Sequence, residues 1–224
     1  MKKLLLLFTI INYQLLIVNS SAQAQNFGGG LIAGGTFSQL LGTDIYGFQK
    51  AGFVGGVYAD RVIKNKSGIQ IEMVFVQKGL RKVTKLPNGG GTTFVNRNLN
   101  YIEVPLLFES NLKGRFSFEI GISGAVLIST KFRTENGEGD IYDANQQPFN
   151  RFEFGCLGGF NFRISDSFDL NLRYLNSFLR VRNHQAGQTQ MFGGLRLNNG
   201  EYNSVLQISL RYKFNKNKEE NQAE

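Results

Sequence analysis

The chain has no tryptophan, one cysteine, one histidine and three prolines in 224 residues. With Cys156 alone, no internal disulfide can form, which excludes a disulfide-stapled exported scaffold and leaves Cys156 as a small apolar filler. The single histidine, His184, rules out the paired-histidine zinc motif H-E-x-x-H, and any Ser-His-Asp hydrolase would depend on it. No G-x-S-x-G elbow, G-x-x-x-x-G-K loop or C-x-x-C pair occurs, so hydrolytic, nucleotide and thiol-redox chemistry have no motif to stand on. Also missing is an apolar run able to cross a bilayer as a helix. Leu4 to Val18 is the longest candidate, but it is too short and is interrupted by Asn12, Tyr13 and Gln14.

That N-terminal run has a different reading. Lys2 and Lys3 form a charged n-region, Leu4 to Val18 an apolar h-region and Ala22-Gln23-Ala24 a small-residue cleavage site, so residues 1–24 are expected to be a secretory signal cut between Ala24 and Gln25. No cysteine lies near the cut, and a lipoprotein anchor is not expected. The mature chain then comprises one domain over residues 25–214 and a polar tail over residues 215–224. Its 27 glycines, 20 phenylalanines and eight tyrosines form a strand-and-turn composition, with aromatics suited to a membrane interface. The mean hydropathy of −0.19 would suit a soluble protein, but it also suits a lipid-facing barrel, in which only every second strand residue is apolar.

Period-2 alternation marks eight strands, at about 27–38, 51–62, 68–78, 99–110, 115–130, 151–164, 168–180 and 203–214. The connections alternate in length. Short turns are expected at Ile63 to Ser67, Asn111 to Gly114 and Ser165 to Ser167, and long polar loops at 39–50, 79–98, 131–150 and 181–202. Short turns at one end and long loops at the other predict an all-β, eight-stranded antiparallel up-and-down transmembrane β-barrel in the cell outer membrane, with both chain ends periplasmic. Pro105 within the fourth strand predicts a local bulge or break. Gly28 to Gly30, Gly34, Gly35, Gly55, Gly56, Gly158 and Gly159 predict a thin wall that bends sharply around bulky interior groups. Phe214 closes the last amphipathic strand and is expected to complete the folding signal read by the barrel-assembly machinery.

The rows Ile69-Ile71-Met73-Phe75, Ile102-Val104-Leu106-Phe108 and Leu206-Ile208-Leu210-Tyr212 are assigned to lipid. Period 2 then sends Glu72, Tyr101, Glu103, Glu119, Glu153, Asn161, Arg163, Asp169, Asn171, Arg173, Gln207, Ser209 and Arg211 inward. In so narrow a barrel these acids and bases must neutralise one another, so Glu72, Glu103 and Glu119 are expected to pair with Arg173, Arg211 and Arg163. A filled lumen leaves no channel for a diffusion pore and no pocket for paired-carboxylate catalysis. Glu135, Glu138, Asp140 and Asp143 fit no standard calcium loop, and neither metal nor cofactor is expected.

The net charge of +8 would suit nucleic acid, but an exported chain seldom meets it; outer-membrane lipid and its anionic lipopolysaccharide are the expected counterpart. Lys78, Arg81, Lys82, Lys85 and Arg97 are read as one basic loop cluster, Arg180 and Arg182 as a second, and Lys213, Lys216 and Lys218 as a third toward the tail. Two other readings are weighed. One is a soluble exported lipocalin-like ligand-binding barrel, which would require the reverse placement of apolar and polar faces. The other is a lipid-modifying outer-membrane enzyme using His184.

The stretch Glu72-Met73-Val74-Phe75-Val76-Gln77-Lys78-Gly79, followed by Leu99-Asn100-Tyr101-Ile102-Glu103-Val104-Pro105-Leu106-Leu107, resembles the paired signature of the PorT-like outer-membrane β-barrel family of Bacteroidota. Asp169-Leu170-Asn171-Leu172-Arg173-Tyr174 and Ile208-Ser209-Leu210-Arg211-Tyr212-Lys213-Phe214 extend the resemblance over the mature chain. It implies an eight-stranded outer-membrane barrel, with secretion-system proteins as a class of partner, since the namesake of the family is needed for type IX secretion; on the residues, a non-enzymatic structural or interaction barrel is expected.

Overall fold

The computed structural model describes residues 27–43, 47–64, 67–85, 92–112, 114–134, 137–139, 148–183 and 200–214. The signal and its cut at Ala24 and Gln25, His184, Pro87 to Gly91, Asp140, Asp143 and the tail 215–224 lie outside them.

The strands are β1 (Phe27–Leu41), β2 (Lys50–Lys64), β3 (Ser67–Lys85), β4 (Thr92–Asn111), β5 (Phe116–Thr134), β6 (Gly137–Gly139), β7 (Phe152–Arg163), β8 (Phe168–Ser177), β9 (Arg182–Asn183) and β10 (Gly200–Lys213). Each long strand pairs antiparallel with its predecessor in the order β1-β2-β3-β4-β5-β7-β8-β10, and β10 returns to β1 from Gly30↔Lys213 to Leu41↔Tyr202. Eight strands thus close into an up-and-down ring, with β6 and β9 as short additions to β5 and β10. Closure removes both sheet edges, which a strand-built membrane span requires because the hydrocarbon offers no water to an unpaired backbone group.

The side chains alternate as period 2 demands. Phe160 is 60% exposed and its neighbour Asn161 is 2% exposed, and along β8 every second residue from Phe168 to Tyr174 is exposed while Asp169, Asn171, Arg173 and Leu175 are buried. Apolar residues face out and charged residues face in, the reverse of a soluble ligand-binding barrel.

The glycines divide by face. Gly30, Gly34, Gly56 and Gly159 lie where a Cβ would strike the wall or an interior group. At Gly34 it would overlap the Ile208 carbonyl oxygen and come within 2.6 Å of Ser209 Cβ, and at Gly159 it would stand 3.0 Å from Glu119 Oε1. Gly35, Gly55 and Gly158 have room, with the nearest atom 3.7 to 3.8 Å away.

Several expectations are corrected. Segment 79–98 is largely strand: β3 continues to Lys85 and β4 starts at Thr92, with ladder pairs from Gly79↔Asn98 to Lys85↔Thr92. β5 likewise runs to Thr134, whereas β8 ends at Ser177 rather than 180. The hydrophobic alternation fades where these strands leave the lipid, but strand pairing continues because β3, β4 and β5 supply one another with hydrogen-bond partners. The break expected at Pro105 is present: the β3–β4 pairing is interrupted between Ile71↔Leu106 and Val74↔Glu103 and resumes in the same register. The bulge of β4 against β5 lies instead at Asn100/Tyr101.

The division of the glycines generates a paired test. Gly34→Ala should destabilise the barrel by roughly 1–3 kcal/mol through overpacking, and Gly35→Ala, facing open space, should stay within about 0.5 kcal/mol. Thermal unfolding in detergent, read as loss of the heat-modifiable band on gels, checks both.

Candidate functional site in the charged lumen and outer rim

The lumen is filled by three tiers of polar groups drawn from strands far apart in sequence. In the tier nearest the turns, Arg173 of β8 donates two bonds to Glu72 of β3, Nη1 to Oε2 at 2.8 Å and Nη2 to Oε1 at 2.7 Å, and Nε donates to Glu119 Oε1 of β5 at 2.6 Å. Glu119 also accepts from Asn171 at 2.9 Å and Asn161 at 3.1 Å, and its Oε2 lies 3.6 Å from Arg211. Arg211 of β10 reaches Gln70 Oε1 at 3.0 Å, Glu109 at 3.3 Å and Asp169 at 3.5 Å, and Lys213 closes on Asp169 at 2.8 Å. Its guanidinium also lies 5.8 Å from the centre of the Tyr58 ring. Two guanidiniums thus bind acids from four different strands, and the forked geometry of arginine makes such multiple contacts available.

The second tier is built on a lysine. Lys78 Nζ sits 2.5 Å from Glu103 of β4 and 2.9 Å from Glu153 of β7, and 5.1 Å from the Tyr101 ring centre. Asn203 of β10 donates to Glu153 Oε2 at 2.6 Å. The third tier lies at the outer mouth, where Arg182 pairs with Glu201 and lies 4.8 Å from the Phe149 ring centre, and Arg97 stands 4.0 Å from Glu201. Leu40, Leu80, Leu99 and Val181, all fully or nearly fully buried, pack with Leu127 and Phe149 in an apolar layer at this end.

Of the six residues expected to share the interior network, Glu72, Glu119, Arg173 and Arg211 meet in the first tier, and Glu103 lies in the second, paired with a lysine rather than an arginine. Arg163 does not join them. It is half-buried and lines a shallow depression at the turn end with Glu109, Arg115, Ser117 and Asp169, and forms no ion pair among the described residues. Asp169, its register partner at the last rung of β7 and β8, is instead taken by Arg211 and Lys213.

Lys78 does not belong to the basic loop cluster; it is 1% exposed. The signal that finds it is the period itself. Gln70, Glu72, Val74, Val76 and Lys78 are all buried, so the inward face of β3 simply continues through it. Leu80 follows on the same face, and Gly79 between them, at φ +135°, leaves no room for a Cβ, which would strike the Arg97 carbonyl oxygen.

Removing Lys78 leaves two buried carboxylates facing each other, whereas removing Glu103 leaves Lys78 with Glu153. Lys78→Met should therefore cost about 3–5 kcal/mol, the range for stripping a buried charge of its partner, and Glu103→Gln clearly less. Urea unfolding in detergent micelles measures both, and equal losses would contradict the shared-lysine geometry.

Residues 19–181 match the profile of the family described as outer membrane protein beta-barrel domain. No curated protein sequence matches the chain. Among solved structures it is similar to Neisserial surface protein A, at 14% identity and TM-score 0.47 over 84% of this chain and 97% of that one. It is similar to Ail, the attachment invasion locus protein of Yersinia pestis, at 13% identity and TM-score 0.45 over 84% and 99%. It is also similar to OprG from Pseudomonas aeruginosa, at 13% identity and TM-score 0.36 over 84% and 94%. The family match takes in every strand from β1 to β8. This chain, an eight-stranded ring with apolar residues outside and charges within, is therefore a member of the outer membrane protein beta-barrel domain family.

Proposed function

We propose that this protein is a non-enzymatic outer-membrane barrel of the PorT-like type, an interaction platform whose outer strand extensions engage secretion or surface-assembly proteins. One observation carries the reading: the lumen from Glu72 to Glu201 is packed with ion-paired and apolar side chains, which leaves the strand extensions and loops of the outer rim as the place for recognition. β3 and β4 extend past the rest of the wall as a paired hairpin through Lys85↔Thr92, and β5 follows β4 to Val95↔Thr134. The Gln77-Lys78-Gly79 and Tyr101-Ile102-Glu103-Val104-Pro105 motifs support the PorT-like assignment. Their lysine and glutamate form an ion pair across β3 and β4, joined by Glu153.

The experiment follows from the register. Because Lys82 pairs with Val95, replacing 83–94 with a two-residue turn shortens the hairpin without shifting the ladder below it and keeps the lumen residues Leu80 and Arg97. The shortened barrel should remain heat-modifiable while losing its co-purifying envelope partners and its ability to complement a knockout. Full complementation by the shortened form would defeat the platform reading.

The same proposal gives the chain a signal cut between Ala24 and Gln25 and an assembly signal completed by Phe214, which is 62% exposed, stacks edge-on against Tyr212 at 5.8 Å and donates its N–H to Gly29. Phe214→Asp should lower outer-membrane levels severalfold by immunoblot of fractionated cells, while truncation after Asn215 should leave them unchanged. N-terminal sequencing of the membrane form should begin at Gln25.

A further inference from the structure

At its outer end β3 parts from β2. Their ladder stops at Val54↔Val76, although β2 reaches Lys50 and β3 runs on to Lys85. Side chains of β1 and β2 take up backbone carbonyls left there: Thr36 Oγ1 donates to Gln77 O at 2.7 Å, Ser38 Oγ to Gly79 O at 3.2 Å, and Lys50 Nζ to Ala51 O at 2.6 Å. Carried upward, the same register sets Lys50, the first residue of β2, level with Leu80. Arg81 to Lys85 therefore rise above β2. Among the described residues no strand pairs with that side of them, while β4 holds the other side from Arg81↔Asn96 to Lys85↔Thr92.

Backbone alternation identifies the groups on the open side. Gln77 and Gly79 direct their carbonyls away from β4, so Arg81, Val83 and Lys85, at the same parity, present N–H and C=O groups along a free edge about 17 Å long. Such an edge is a template for another strand. The side chains select which one. Residues 79–96 carry Arg81, Lys82 and Lys85 and no Asp or Glu. Arg81 is exposed, Lys82 is half-buried, and Val83 is 48% exposed. A second copy of the chain, paired antiparallel on this edge and centred on Val83, would set the Arg81 position opposite Lys85, like charge against like, which disfavours it. An acidic strand meets the opposite sign.

We infer that the β3 edge from Arg81 to Lys85 binds an acidic, extended segment of a partner protein as an added strand, with backbone bonds to Arg81, Val83 and Lys85, carboxylates beside Arg81 and Lys82, and an apolar residue against Val83. In strand addition the main chain supplies affinity and the alternating side chains supply selectivity. The site rests on the platform reading and specifies the form in which the hairpin meets its partner. At Val83 the N–H faces the open edge, so a proline there keeps the ladder to β4 and removes a docking donor.

The test uses the isotope-labelled full-length barrel in detergent micelles and the end-blocked peptide Thr-Thr-Val-Glu-Glu-Thr, read by amide NMR shifts and hydrogen exchange. The peptide should protect the Arg81 and Val83 amides and leave that of Lys82, which faces β4, unchanged. Methylating alternate backbone nitrogens of the peptide, which keeps its charge but blocks the ladder, should abolish binding, as should replacing both glutamates with lysine. Arg81→Gln/Lys82→Gln should weaken binding about tenfold. Val83→Pro should abolish it in a barrel that remains heat-modifiable on gels. No protection of Arg81 and Val83, equal protection by the methylated or the lysine peptide, or peptide-free dimerisation that Val83→Pro removes would overturn the assignment. In cells the two readings separate: loss of complementation on shortening the hairpin, together with full complementation by Val83→Pro, would retain the platform and remove the strand-addition site.

Discussion

The structure depends on one constraint, that no backbone N–H or C=O may remain unpaired where the chain meets hydrocarbon. The β1–β10 ladder meets it by closing the sheet on itself. Closing at eight strands fixes a narrow lumen, and period 2 sends half of the strand side chains into it. The interior must then be both filled and neutral. The lumen meets the volume requirement by placing glycine opposite bulk, with Gly30 facing the Tyr58 ring and Gly159 leaving room for Glu119, and meets the charge requirement by opposing Arg173, Arg211 and Lys78 to glutamates from the other strands.

Buried ion pairs of this kind are often no more stabilising than well-packed apolar groups would be. What they supply here is intolerance of any other register. Slipping a strand by one residue would turn Glu72, Glu119 or Arg173 outward into lipid, where a charge costs several kcal/mol, and would leave its partner stranded inside. Because Arg173 bridges β8 to both β3 and β5, and Lys78 bridges β3 to β7 as well as to its neighbour β4, the pairs tie together strands that share no backbone ladder.

Above the lipid the same strands serve another purpose. β3, β4 and β5 continue as a paired sheet while β7 and β8 stop early, so the rim has a tall side and a low side. The tall side presents a hairpin. Family membership accounts for the ring below, and the asymmetry of the rim is where this chain has room to be specific.

The sequence alone determined the closed eight-strand topology, the lipid-facing rows and most of the inward residues, because a half-buried strand writes its faces into every second position. Ile69, Ile71 and Met73 against Gln70, Glu72 and Val74 need no three-dimensional information. Even Lys78 was legible to a reader who carried that period two residues further. The tertiary structure decided which acid meets which base, since Arg173 reaches Glu72 across 101 residues of chain through strand stagger that no local pattern encodes. It also placed Arg163 at the turn end rather than in the network and continued β3 through a segment whose polar composition reads as loop. In that segment pairing with β4, rather than burial, holds the strand. Local sequence reports burial through hydrophobic period, whereas strand stagger and partner choice are properties of the closed ring.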